Sequence, residues 1–172
     1  MDLFASRLNC QTETYISWKP DPFALAVDAF TMNWNTLGTV YAFPPFALIS
    51  KMLKKIVLDK VEKAIIVVPY WTTQPWFSRI GKLLIDCPFL LPRKQDSMTH
   101  PWRKTPHDLD SKLQLMVCCV SGVTYKPMAF QRERQISSCR HGNRKHKNSM
   151  CATSNDGYSF AVNQVWISCH RM

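Results

Sequence analysis

The run Thr39-Val40-Tyr41-Ala42-Phe43-Pro44-Pro45-Phe46 constrains this chain more than any other stretch. Residues 39–43 are short, apolar and β-prone, and Pro44-Pro45 cannot continue a strand, because neither proline has an amide hydrogen to donate. An aromatic follows. Leu48, Ile49, Met52, Leu53, Ile56 and Val57 then recur at helical spacing, with Ser50, Lys51, Lys54 and Lys55 on the other face. Ala64 to Val68 is a continuous run dominated by β-branched residues, the pattern of a strand buried on both faces, and it stops at Pro69.

The next helix is predicted to start at Thr73 as cap with Pro75 in its first turn, and to bury Trp76, Phe77, Ile80, Leu83 and Leu84. Cys87 to Leu91 reads as a further strand. Strand, helix, strand, helix, strand implies crossover connections and a parallel sheet, so an α/β fold is expected over residues 38–91, with helices near 46–60 and 74–86. Composition shifts near residue 92. Residues 1–91 read as one α/β domain, 92–112 as a linker rich in proline and charge, and 113–172 as a poorly ordered basic spacer. Within that spacer Leu113 to Val120 suits a strand or short helix, Pro127 to Gln135 a helix, and Tyr158 to Ile167 a strand or hairpin.

A chain of 172 residues with 46% hydrophobic residues can build one ordinary core. None of its 5 glycines falls in a phosphate-cradling pattern. Its 7 cysteines are odd in number and follow no basic-then-apolar leader, so a reduced, intracellular, nuclear or cytoplasmic location is expected, and no apolar stretch has the length of a membrane span. The net charge of +10 suits nucleic acid, or equally a solvated basic surface. Lys126, Arg132, Arg134, Arg140, Arg144, Lys145 and Lys147 form the densest basic block, with Glu133 the single acid among them. That block suits phosphate contact without sequence readout, or a solvated charged tail. Cys139, His141, His146 and Cys151 lack the close Cys-x2-Cys start of a zinc knuckle, and no metal is expected.

Taken in order, Asp2-Leu3-Phe4-Ala5-Ser6 with Asn9 and Tyr15, then Asp28-Ala29-Phe30 and Trp34, Phe43-Pro44-Pro45-Phe46, a strand ending in Val68-Pro69, and Trp76-Phe77 resemble the phage-type DNA adenine-N6 methyltransferase (Dam-like) domain. The match covers roughly residues 2–85. It is closer still to the degenerate copy of that domain carried by DIRS-type retrotransposons, which integrate by a tyrosine recombinase. His100-Pro101-Trp102, Leu113 to Met116, Ser121-Gly122 and Gln135-Ile136-Ser137-Ser138-Cys139 are also similar to that lineage.

The resemblance implies a truncated, Rossmann-like methyltransferase-type parallel sheet with flanking helices. It implies that Phe43, Pro44, Pro45 and Phe46 stand where the catalytic loop lies, and that Asp2, Phe4, Ala5 and Ser6 stand on the S-adenosylmethionine side, with Asp28 either a second cofactor-side carboxylate or a helix cap. The family's strand before its first motif is expected to be absent, since Met1 directly precedes Asp2. Phe46 could still stack on an extruded base, but Phe43 replaces the residue that accepts a hydrogen bond from the target amino group, and a phenyl ring has no lone pair. The resemblance therefore implies an element-derived polyprotein fragment neighbouring reverse transcriptase, ribonuclease H and recombinase regions. It would use no cofactor and act as a nucleic-acid-binding module. The alternatives are an active S-adenosylmethionine-dependent adenine methyltransferase with another acceptor, and the product of a decayed element with no function alone.

Overall fold

The computed structural model describes residues 1–92, 113–138, 159–162, 165–168 and 170–171, with side chains described through residue 133. The centre of the fold is a mixed sheet of eight strands. In chain order the strands are β1 (Asp2–Ala5), β2 (Tyr15–Ser17), β3 (Ala26–Val27), β4 (Val40–Ala42), β5 (Ala64–Pro69), β6 (Phe89–Leu90) and β7 (Leu115–Val120). A separate antiparallel hairpin, β8 (Ser159–Val162) with β9 (Val165–Ser168), precedes the edge strand β10 (His170–Arg171). The sheet order is β10-β6-β7-β5-β4-β1-β2-β3.

From β3 across to β5 every pair is parallel. The chain leaves β1 toward β2 and β3 on one side, then returns to lay β4 and β5 on the other. The strand order thus reverses between β1 and β4, the crevice position where open α/β sheets hold ligands beyond the carboxyl ends of their strands.

Two helices cover one face. Helix α1 (Ile49–Leu58) follows a short 3-10 turn, Phe46–Leu48, and buries Ile49, Met52, Leu53 and Ile56, as the spacing predicts. Val57 stays exposed instead. Helix α2 (Pro75–Leu83) buries Trp76, Phe77 and Ile80. Its cap position is Gln74 rather than Thr73, with no side-chain bond, because Pro75 at the first helical position leaves one orphan amide fewer to satisfy. These residues join Val40, Ala42, Ile66, Val68, Met116, Cys118 and Val120 in one core. The opposite face carries a thinner cluster of Val67, Leu113 and Leu115, with Tyr41, Phe43, Leu91 and Val117 half-buried against it.

Three expectations require correction. The first motif is itself a strand, Asp2–Ala5, paired with β2 and β4. The sheet is not confined to residues 38–91. It begins at residue 2, and β6 does not lie beside β5.

The third correction concerns the spacer. Leu115–Val120 runs antiparallel between β5 and β6, paired at every residue from Ala64–Val120 to Pro69–Leu115. The sheet therefore reaches past the boundary expected at residue 91. The reason is packing: alternate residues of β7 reach both apolar clusters, so the strand covers what would otherwise be an open edge of β5. The turn after β7 ties it down further. The amide of Ser121 donates to Leu83 O at 2.9 Å, its hydroxyl donates to Val61 O at 3.1 Å, and the Gly122 amide donates to Val61 O at 2.9 Å. Helix α3 (Tyr125–Ser138) follows, with Phe130 against the main core.

Candidate functional site

The reversal point brings two of the sequence motifs side by side. β1 ends at Ala5, with Ser6 next in the chain, and β4 ends at Ala42, with Phe43 next. The two strands are hydrogen-bonded neighbours with Asp2 opposite Tyr41, and the Tyr41 amide donates to Met1 O at 2.8 Å. The first and third motifs, some forty residues apart in the chain, thus open onto one edge of the sheet.

On the β1 side the polar groups are already engaged. Asp2 is buried; one carboxylate oxygen accepts from the Phe4 amide at 3.2 Å and the other from the Gln11 amide at 3.0 Å. Burial raises its pKa above the ordinary carboxylate value, opposed by those two amides and by the terminal ammonium. The amide and hydroxyl of Ser6 both donate to Asn9 Oδ1 at 2.7 Å, and the amides of Asn9 and Cys10 return to Ser6 O. The loop closes on itself.

Ala5 is buried, and the Phe4 ring meets Phe30 at 5.6 Å and Trp34 at 6.2 Å, edge to face. Trp34 is fully buried and its indole donates to Ala29 O at 2.7 Å. Asp28 takes the cap role: at φ 59°, a backbone state uncommon outside glycine, it accepts from the Phe30 amide at 3.0 Å. Asp2 and Asp28 thus accept from this chain's own backbone amides, and the Ser6 hydroxyl is held by the Asn9 side chain.

On the β4 side Phe43 lies half-buried beside Val67, Leu113 and Leu115, offering no acceptor. Pro44 is buried and Pro45 exposed. The Phe46 ring meets Trp71 edge to face at 5.2 Å, so the aromatic that closes the loop is held by the residue beyond the end of β5. Trp76 and Phe77 pack into the core as helix spacing implies, but Trp71 does not; it keeps 38% of its surface exposed. Tyr41 stands beside Asp2, and burial together with that carboxylate pushes its phenol pKa up.

No family model matches the chain, and no characterised protein matches it in sequence.

The Lys126 ammonium lies 3.7 Å from Glu62 and Arg132 is exposed on α3, which also carries Arg134. Arg140, Arg144, Lys145 and Lys147 lie outside the described residues, as do Cys139, His141, His146 and Cys151. Among the described residues no three His, Cys, Asp or Glu side chains converge as metal ligands, and no helix is long and apolar enough to cross a membrane.

Sequence reasoning passed over one cluster. Trp18 and Phe23 flank Lys19-Pro20-Asp21-Pro22 in the loop after β2 and are 74% and 69% exposed. Lys19 Nζ lies 4.5 Å from the centre of the Trp18 ring, and the Arg7 guanidinium 5.5 Å from that of Phe23. Two aromatics bracketing two prolines was the available signal.

Proposed function

We propose that this chain is a degenerate methyltransferase-type module of a DIRS-type retrotransposon polyprotein, and that it binds nucleic acid without transferring methyl groups. The observation that carries the reading is the meeting of the Ser6 end of β1 with the Phe43-Pro44-Pro45-Phe46 end of β4 at the reversal of strand order. A Rossmann-like methyltransferase-type sheet would put its donor loop and its base-holding loop at that crevice. Five parallel strands, followed by β6 and a late antiparallel strand inserted before it, suit such a sheet.

The same residues argue against turnover. Both Asp2 oxygens and the Ser6 hydroxyl are committed to the chain's own backbone or to Asn9, one Asp28 oxygen caps the Phe30 amide, and the Phe43 side chain has no polar atom to offer. Losing one positioned polar contact at such a site raises a barrier by roughly 2.7–4 kcal/mol. Phosphate contact is assigned to the basic block from Lys126 to Lys147, where seven cations face one acid in sequence.

Two titrations test this. Calorimetry of the full chain with S-adenosylmethionine should show no binding at physiological concentration; micromolar affinity would favour the active enzyme. Binding to duplex DNA should weaken with salt, with a log–log slope near about −4.5 if roughly five cations reach phosphates. Replacing Arg140, Arg144, Lys145 and Lys147 together by Ala should flatten that slope. No affinity for any nucleic acid would leave the decayed-element reading.

A further inference from the structure

The loop joining β2 to β3 is built in a way that the core does not require. Trp18 and Phe23 are among the most exposed large apolar side chains of the described residues. Exposed aromatics on a slack loop fold back onto the nearest apolar surface, yet this loop is braced. Pro20 and Pro22 restrict its backbone. Asp21 binds it from inside, accepting from the Phe23 amide at 3.0 Å through one oxygen and from the Tyr15 hydroxyl at 2.9 Å through the other. Tyr15 is itself buried in β2, so the brace is anchored in the sheet. The bonds from the Phe23 amide and the Tyr15 hydroxyl also keep the Asp21 pKa low, so the brace holds at neutral pH.

The position of this loop matters. β2, β1, β4 and β5 are parallel neighbours in that order, so the segments after all four emerge on one edge. Along it stand Trp18 and Phe23 after β2, Arg7 after β1, Phe46 after β4 and Trp71 after β5. Three strand spacings of roughly 4.8 Å separate the first pair from the last, about 14 Å in all. Aromatic faces at both ends, with Lys19 and Arg7 against the rings of the first pair, make an alternation of stacking surface and positive charge.

We propose that this carboxyl edge is a binding track for single-stranded nucleic acid, with Trp18 and Phe23 stacking successive bases, Arg7 and Lys19 meeting their phosphates, and Phe46-Trp71 receiving a base farther along. The proposal rests on the nucleic-acid-binding reading above and names the form of polymer and the surface. A duplex keeps its bases stacked inside and offers no free faces to these rings, whereas every unpaired base has one.

The test uses the full chain and fluorescence anisotropy, with a labelled oligothymidylate and a duplex of equal length as probes. The single strand should bind more tightly. Trp18→Ala should weaken single-strand binding by roughly five- to a hundredfold, the range for loss of one base stack, and Trp18→Phe should restore most of it. Arg7→Ala and Lys19→Ala should each flatten the single-strand salt slope by about 0.7. Because the two rings are largely exposed, the Trp18→Ala/Phe23→Ala double variant should keep the parent's far-ultraviolet circular dichroism and melting midpoint. Unchanged single-strand affinity in that folded double variant, or equal affinity for duplex and single strand, overturns the track while leaving a nucleic-acid-binding tail intact. Binding to neither probe removes both proposals, and the exposed loop then fits a protein partner.

Discussion

The two sides of the sheet reversal are built differently. On the β4–β5–β7 side, strands of up to six residues are paired along their full length, and α1 and α2 seal one face with fully buried Ile49, Met52, Leu53, Ile56 and Ile80. On the β1–β2–β3 side, the strands run to four, three and two residues. Among the described residues the connections there are turns and 3-10 segments, and Leu25 and Val27 remain exposed with Trp18 and Phe23. The first side has the burial needed to hold a fold together, roughly 25 cal/mol per Å² of apolar surface removed from water. The second contributes Leu3, Ile16, Ala29 and Trp34 to the same core, adds local hydrogen bonds accepted by Asp2, Asn9, Asp21 and Asp28, and leaves the side chains of the β2–β3 loop exposed. Stability is concentrated on one side of the crevice and exposed chemistry on the other.

The largest expected contrast is between matched leucines. Leu53→Ala on α1 should lower unfolding free energy by about 3 kcal/mol in urea titration, within the usual range for an emptied core site. Leu25→Ala, whose side chain is mostly in water, should change it by less than about 0.5 kcal/mol. Equal losses would erase the distinction between the two sides.

Gly122→Ala sharpens the same comparison at the β7 turn. A Cβ there would meet Ile56 O at 1.9 Å and Ile56 C at 2.7 Å, both backbone atoms that cannot swing aside. A loss of about 2–3 kcal/mol is expected, measurable as a fall in the urea midpoint. A neutral effect would mean that β7 and its turn are not seated on α1, and the sheet would then end near residue 91 after all.

Trp34→Phe probes the joint between the sides, since Trp34 packs with Phe4 and donates to Ala29 O. Leaving that carbonyl without its donor should cost about 1–2 kcal/mol, again by urea titration.

The smallest effect is in pH. Burial raises the Asp2 pKa above the reference 3.8, so the folded chain holds this proton more tightly than the unfolded chain does. The sign follows: the contribution is fully present below 3.8 and is lost as pH rises through the higher folded pKa. Asp2→Asn, which keeps one acceptor for the Phe4 or Gln11 amide, should remove that decline from the stability–pH curve. An unchanged curve would show that Asp2 titrates as an ordinary surface carboxylate.

Much of the well-packed side was legible in the residues. Pro44-Pro45 and Pro69 mark where strands end, and the spacing Ile49, Met52, Leu53, Ile56 fixes both the helix and its buried face, because a 3.6-residue period has one solution on a helix. The site was half legible. The Phe43–Phe46 loop and the Asp2–Ser6 segment stand out by composition, but their adjacency depends on β4 returning to the far side of β1. Trp18 and Phe23 carried no periodic signal, since a short braced loop has no period to read. Local pattern determines which segments are strands and which faces are apolar. It is silent on which strand each one pairs with, because any apolar strand can satisfy another's hydrogen bonds. The antiparallel insertion of Leu115–Val120 between β5 and β6, the reversal at β1 and β4, and the outward pose of the two aromatics were decided only when the whole chain packed.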